Sequence, residues 1–195
     1  MGNLVYTTGL SSMAGLNAYL PLLLLGLMAR ATSLVGLQPP FDLLTSVWAI
    51  GPLVVLLLIE LVLDKVPGVA SMNDAVQTVV RPLAGAVLFA AGDTTLAPVH
   101  PALPFVAGIF VAGAVHTLKI NGRPRLIEYG RALPVAGLVQ DMLVAAGTVL
   151  AVAVPGLGSV GALVLVAGYL TAANFPVLLR RVRPAGEAGR RLRGP

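Results

Sequence analysis

The chain has 195 residues, of which 57% are hydrophobic and only 11% charged, and its mean hydropathy is +0.90. A soluble domain carries roughly 25% charged residues, so the composition argues against a soluble enzyme and for an integral membrane protein with about five to seven spans. Cysteine is absent, which excludes disulfides, thiolate chemistry and cysteine metal sites. The net charge of +5 sits between apolar runs and at the C-terminus, so it reads as membrane orientation and not as nucleic-acid binding.

The first apolar run, over about 10–29, is long enough to cross a bilayer. A signal peptide is the rival reading, but no base precedes the run, and Asn17 and Pro21 interrupt it. An Asn inside a span needs a hydrogen-bond partner, and Pro frees a carbonyl one turn earlier. A loop with Pro39-Pro40 follows, and Trp48 suits an interfacial belt. The second run, about 47–64, carries Glu60 and ends at Asp64-Lys65, before Pro67-Gly68.

The third run is short if counted from Pro82, and short runs can be re-entrant. Charge decides for a crossing over about 74–92, kinked at Pro82. Six spans then put every base except Arg30 on one side, with both termini cytoplasmic. The fourth, fifth and sixth spans are expected at about 103–119, 133–154 and 159–179. The tail, 180–195, is basic and rich in Gly and Pro, and reads as disordered near anionic head groups. Asp42 and Asp93 fall on the outer side, where they are expected to be solvated.

At an offset of 52 residues Pro52 meets Pro104, and Pro82-Leu83-Ala84-Gly85 meets Pro134-Val135-Ala136-Gly137. This suggests an internal repeat, spans two and three on spans four and five, about an axis along the membrane normal. Leu56, Glu60 and Asp64 share one helix face. Their counterparts Gly108, Ala112 and His116 form a face of smaller residues that lets helices approach closely.

Intramembrane ionisable groups are costly and mark function by default. The candidates for a substrate or ion pathway are Asn17, Glu60, Asp64, Arg81, His116 and Asp141. Asp141 is the deepest acid and is expected to face the bundle, where Asn17 or Arg81 can donate to it. Glu60, Asp64 and Lys65 also suit an interfacial anchor with snorkelling acids. Arg81 is expected to pair with Asp64 or Asp74, or to hold a lipid phosphate. His116 can serve as a switch or merely end a helix.

The blocks Gly15-Leu16-Asn17-Ala18-Tyr19-Leu20-Pro21-Leu22, Glu60 with Asp64-Lys65-Val66-Pro67, and Asp74 with Arg81-Pro82-x-Ala84-Gly85 resemble the domain-of-unknown-function family 4126. The resemblance runs from about Gly9 to the last span. It implies a small multispanning bacterial membrane protein and no particular activity. Gln140-Asp141 stands where the family pattern leads one to expect a Glu-Asp pair, so the resemblance does not carry over a two-carboxylate site.

No hydrolase, zincin or Walker motif is present, so no enzyme activity, cofactor or metal site is expected. The leading expectation is a small transporter or channel for an ion or small solute in the inner membrane, using intramembrane carboxylates. The alternative is a lipid- or partner-binding scaffold, with Arg81, Arg123, Arg125 and Arg131 holding anionic phospholipid head groups. Expected partners are the lipid bilayer and those head groups, with a homo-oligomer left open and no nucleic acid.

Overall fold

The computed structural model describes residues 2–63, 69–127 and 132–182. Those residues form an all-helical bundle: α1 (Gly2–Leu16), α2 (Tyr19–Ala31), a 3-10 turn (Phe41–Thr45), α3 (Val47–Leu63), α4 (Ala70–Gly92), α5 (Leu103–Ile127), α6 (Ala132–Ala153) and α7 (Leu157–Val182). Among the described residues, two stretches, Met72–Gly92 and Leu103–Asn121, are long and apolar enough to cross a membrane. The basic tail beyond residue 182 lies outside the described residues.

The first apolar run differs from the expected single helix. It breaks at Asn17-Ala18 into two helices of 15 and 13 residues. At 1.5 Å per residue each is about 20 Å long, too short for a ~30 Å hydrocarbon layer. Asn17 causes the break locally, because its Oδ1 accepts the Leu20 N–H at 3.0 Å and so caps α2.

Contacts fix the direction of each helix. Near its start α1 packs Tyr6 and Thr7 against Gly92, at the end of α4, and Gly9 against Ser159, at the start of α7. Ser11 donates to the carbonyl of Gly108 in the first part of α5. The far part of α2 returns to that same end. Gly26 lies against Leu44, Arg30 donates to the Thr45 carbonyl, and the Phe41 ring stands 6.1 Å from Phe105. Thus α1 and α2 form a V whose tip, Asn17-Ala18, sits halfway down the bundle. Helices α4 to α7 run the full length, alternating in direction, while α3 starts beside the far end of α2 and its described part ends about a turn past Glu60.

Small residues allow the closest approaches. A Cβ on Gly15 would stand 2.6 Å from the Ala112 carbonyl, and one on Gly85 would collide with Ala112 and with the Gly108 backbone. The small face expected on the fourth run is therefore where α5 receives α1 and α4. The repeat fares differently. Gly85 packs at the level of Ser11, whereas Gly137 lies a turn beyond Gln140, which bonds Leu16. The two glycines differ in depth by about 12 Å at 1.5 Å per residue, so equivalence in sequence is not equivalence in depth.

Burial is inverted relative to a soluble protein. Trp48 is 91% exposed and Phe110 72%, and Val55, Leu58, Val62, Met142 and Val164 also face outward. Arg81, Glu60, His116, Lys119, Gln140 and Asn17 are buried. Asp93 is buried too, against the expectation of a solvated acid. Its carboxylate accepts the backbone N–H groups of Thr95, Leu96 and Ala97 and so shapes the loop after α4.

Candidate functional site

The helix break leaves backbone groups unpaired at the middle of the bundle. The end of α1 presents carbonyl oxygens, and the start of α2 presents N–H groups. In a low-dielectric interior such groups must find partners. The surrounding helices supply them. Gln140 Nε2 donates to the Leu16 carbonyl at 2.8 Å, and Lys119 Nζ donates to the same oxygen at 3.0 Å. Arg81 Nη1 reaches the Gly15 carbonyl at 3.4 Å. On the α2 side the Ala18 N–H points to Glu60 Oε1 at 3.5 Å. Cations thus meet the negative end of α1 and a carboxylate meets the positive end of α2, as the helix dipoles favour.

Two linked groups make up the site. In the first, Arg81 Nη2 donates to Glu60 Oε1 at 2.7 Å, with both side chains almost fully buried. Arg81 Nη1 also lies 3.2 Å from His116 Nδ1. A guanidinium can only donate, so Nδ1 accepts and the ring proton sits on Nε2. Nε2 in turn donates to Thr78 Oγ1 at 3.2 Å, and Thr78 donates to the Asp74 carbonyl at 2.8 Å. In the second group, Asn17 Nδ2 donates to Asp141 Oδ1 at 3.2 Å, and Tyr169 donates to Gln140 Oε1 at 3.1 Å. Arg81 stands at the midpoint of α4, and Tyr169 and His116 lie close to the midpoints of α7 and α5.

Of the sequence-derived candidates, Asn17 and Asp141 meet each other, and Glu60, Arg81 and His116 form one chain of contacts. Asp64 lies outside the described residues, as do Arg131 and the side chains of Arg123 and Arg125. The order of depth changes. Glu60 is 1% exposed while Asp141 is partly exposed, so the buried acid is Glu60 and not Asp141. Glu60 is not a snorkelling anchor, and its guanidinium partner is Arg81, which sequence spacing had matched to Asp64 or Asp74.

Sequence reading missed Lys119, Gln140, Thr78 and Tyr169. Lys119 closes the expected fourth span, and it follows His116 by three residues and so shares its helix face. The ends of the bundle differ around this centre. Toward the Tyr6 end, Leu10, Met13, Ala14, Leu88, Val144, Val152 and Ala162 close a mainly apolar core, in which the hydroxyls of Thr7, Ser11, Ser12, Thr148 and Ser159 are also buried. Toward the other end, Asn73, Gln77 and Arg81 form a buried polar stripe on α4 at i, i+4, i+8 spacing.

Comparison with known proteins adds one result. A family model, Domain of unknown function (DUF4126), matches residues 4–174. No curated protein and no solved structure matches the chain.

Proposed function

The chain belongs to the DUF4126 family, and from the geometry at its centre we propose that it is a small multi-pass transporter of the cell (inner) membrane, moving an ion or small solute. The observation that carries this reading is the helix broken at Asn17-Ala18, inside a ring of buried charged and amide side chains. Irregular backbone at membrane depth is tolerated only where protein or a polar cavity covers it, and discontinuous helices of this kind form binding sites in transporters. The outward-facing Trp48, Val55, Leu58 and Phe110 and the buried Arg81 and Glu60 support embedding in lipid.

The apolar core on the Tyr6 side closes one approach to the centre. The Asn73–Gln77–Arg81 stripe lines the other, so the arrangement corresponds to access from the cytoplasmic end. Asp141 and Asn17 touch each other at the tip of the V and are the residues assigned to contact cargo. The scaffold reading loses Arg81 as a phosphate holder, because Arg81 is buried and bound to Glu60.

The test is flux into proteoliposomes across a panel of alkali cations, protons, halides and small organic solutes. Asp141→Asn, which keeps volume and hydrogen bonding, is expected to abolish flux of the species moved by the natural protein while the protein stays folded. Flux no greater than in protein-free vesicles for every species, or full flux in Asp141→Asn, would overturn the assignment.

A further inference from the structure

We propose that His116 is the proton-binding residue of the central site and works as a latch. Neutral, it holds the first half of α4 against α5; protonated, it lets that half swing about Pro82. The latch stands on the geometry of α4 and α5, and its use in transport rests on the transport reading.

Three observations lead to it. First, both ring nitrogens of His116 meet α4, at residues one helical turn apart. Nδ1 accepts from Arg81 Nη1 at 3.2 Å, and Nε2 donates to Thr78 Oγ1 at 3.2 Å. Only the neutral imidazole, in one tautomer, does both. A proton on Nδ1 turns that acceptor into a donor and sets a cation against the guanidinium. Arg81 must then leave the ring, and it keeps Glu60 Oε1 on α3 and the Gly15 carbonyl on α1. Second, the seam between α4 and α5 is tight on one side of this level only. A Cβ on Gly85 would collide with Ala112, and one on Gly108 with the Gly85 backbone. One on Gly113 would lie 3.6 Å from Pro82, an ordinary contact. Third, Pro82 stands between the tight seam and the latch. It has no N–H for the Thr78 carbonyl, so the α4 ladder lacks a bond where the two halves join. The half that would swing, residues 70–81, carries the buried Asn73–Gln77–Arg81 stripe that lines the approach.

Among the described residues, the charged and titratable groups around the ring are Arg81 and Asp74 on α4, Glu60 on α3 and Lys119 on its own helix. Tyr19 on α2, Asp141 on α6 and Tyr169 on α7 complete the centre, to which α1 brings carbonyls. Of these side-chain types, only histidine ordinarily changes charge between about pH 5 and 8. The ring is followed by nitrogen NMR on the full chain in detergent. His100→Gln, in the connection after α4, leaves His116 as the single histidine. At about pH 8 the ring proton is expected on Nε2. By about pH 5.5 both nitrogens should carry one, in protein that is still folded. A ring that stays neutral at every pH where the fold persists would overturn the proposal.

Opening is read by maleimide labelling of Gln77→Cys in this cysteine-free chain, at a position now 2% exposed. It is compared, at the same pH, with Gln77→Cys carrying His116→Gln. That amide can accept from Arg81 and donate to Thr78 but takes no proton. The two should label alike at about pH 8. At about pH 5.5 the form with His116 should label about tenfold faster, since one proton gives at most about tenfold per pH unit. Equal rates at both pH values would show that the ring does not hold α4, and would overturn the latch. If the double variant does not fold, Gln77→Cys is compared with Leu34→Cys, which is already exposed, and the ratio of rates should rise by the same factor as pH falls. A constant ratio would overturn the latch too. The two readings fail separately. A latch that opens with pH in a protein that moves nothing would end transport and keep the latch, and flux by a protein whose His116 stays neutral would do the reverse.

Discussion

Glu60 and Arg81 show how the chemistry of single residues was partly hidden in the sequence. An acid in an apolar run announces a need for a partner. The nearest bases along the chain suggested a group at the helix end, with Asp64 and Lys65. Instead the Arg81 guanidinium, on the next helix, points back and takes the carboxylate at 2.7 Å. Spacing along a helix gives faces, not which face meets which, so the pairing was not legible. Removing one partner strands a buried charge, at about 3–5 kcal/mol. Arg81→Gln should therefore lower stability by that amount in reversible unfolding, and Glu60→Gln on top of it should recover part of the loss. Arg81→Lys should not rescue, because an ammonium cannot reach Glu60, Gly15 and His116 together. The same network assigns the His116 tautomer. Nitrogen NMR of the natural protein should find the ring proton on Nε2, and Arg81→Gln should change that spectrum. A proton on Nδ1 would show that the Arg81–His116 contact is wrongly assigned.

Helices α3 to α7 follow the apolar runs closely, and their ends lie within a few residues of the expected ones except where α4, α5 and α7 extend past the apolar part. That agreement has a simple cause: long apolar runs bounded by Pro and Gly leave little freedom. The α1–α2 pair escaped the same reasoning because its run has the length of one span. The signals for the break, Asn17 and Pro21, were visible, but hydropathy cannot tell a kinked crossing from a turn. Asn17 both caps α2 and holds Asp141. Asn17→Ala should cost about 0.5–2 kcal/mol for the lost cap alone, while Asn17→Asp should keep the cap yet repel Asp141. The α1–α4–α5 contact is tested by Gly85→Val. Its side chain would meet Ala112 and the Gly108 backbone, and overpacking of this kind costs about 1–3 kcal/mol. Unchanged unfolding in Gly85→Val would show that the helices are not so closely apposed.

The V formed by α1 and α2 bears on how the whole molecule would sit in a membrane. In the membrane reading proposed above, the α1–α2 V adds no crossing of its own, so the two termini would fall on opposite sides. Six crossings had placed both in the cytoplasm. The charge argument does not distinguish these cases, because the residues before Arg30 contain no base at all. In both arrangements Arg30 stands alone on one side; Arg81 and Lys119 are buried at the centre, and the remaining bases fall at the α3–α4 and α5–α6 end and in the C-terminal stretch, as the positive-inside rule favours. What separates the two is the N-terminus. A C-terminal reporter should behave as cytoplasmic in either case and serves as the control. An N-terminal tag, or a single cysteine placed at Asn3 in this cysteine-free chain, should react with a membrane-impermeant reagent from the outside of intact cells. A second cysteine at Leu34, in the connection after α2, should react from that side too. Protection of Asn3→Cys with labelling of Leu34→Cys would mean that the first run crosses fully. The V would then be wrong, and the placement of Asn17 beside Asp141 would have to be explained by another path of the chain.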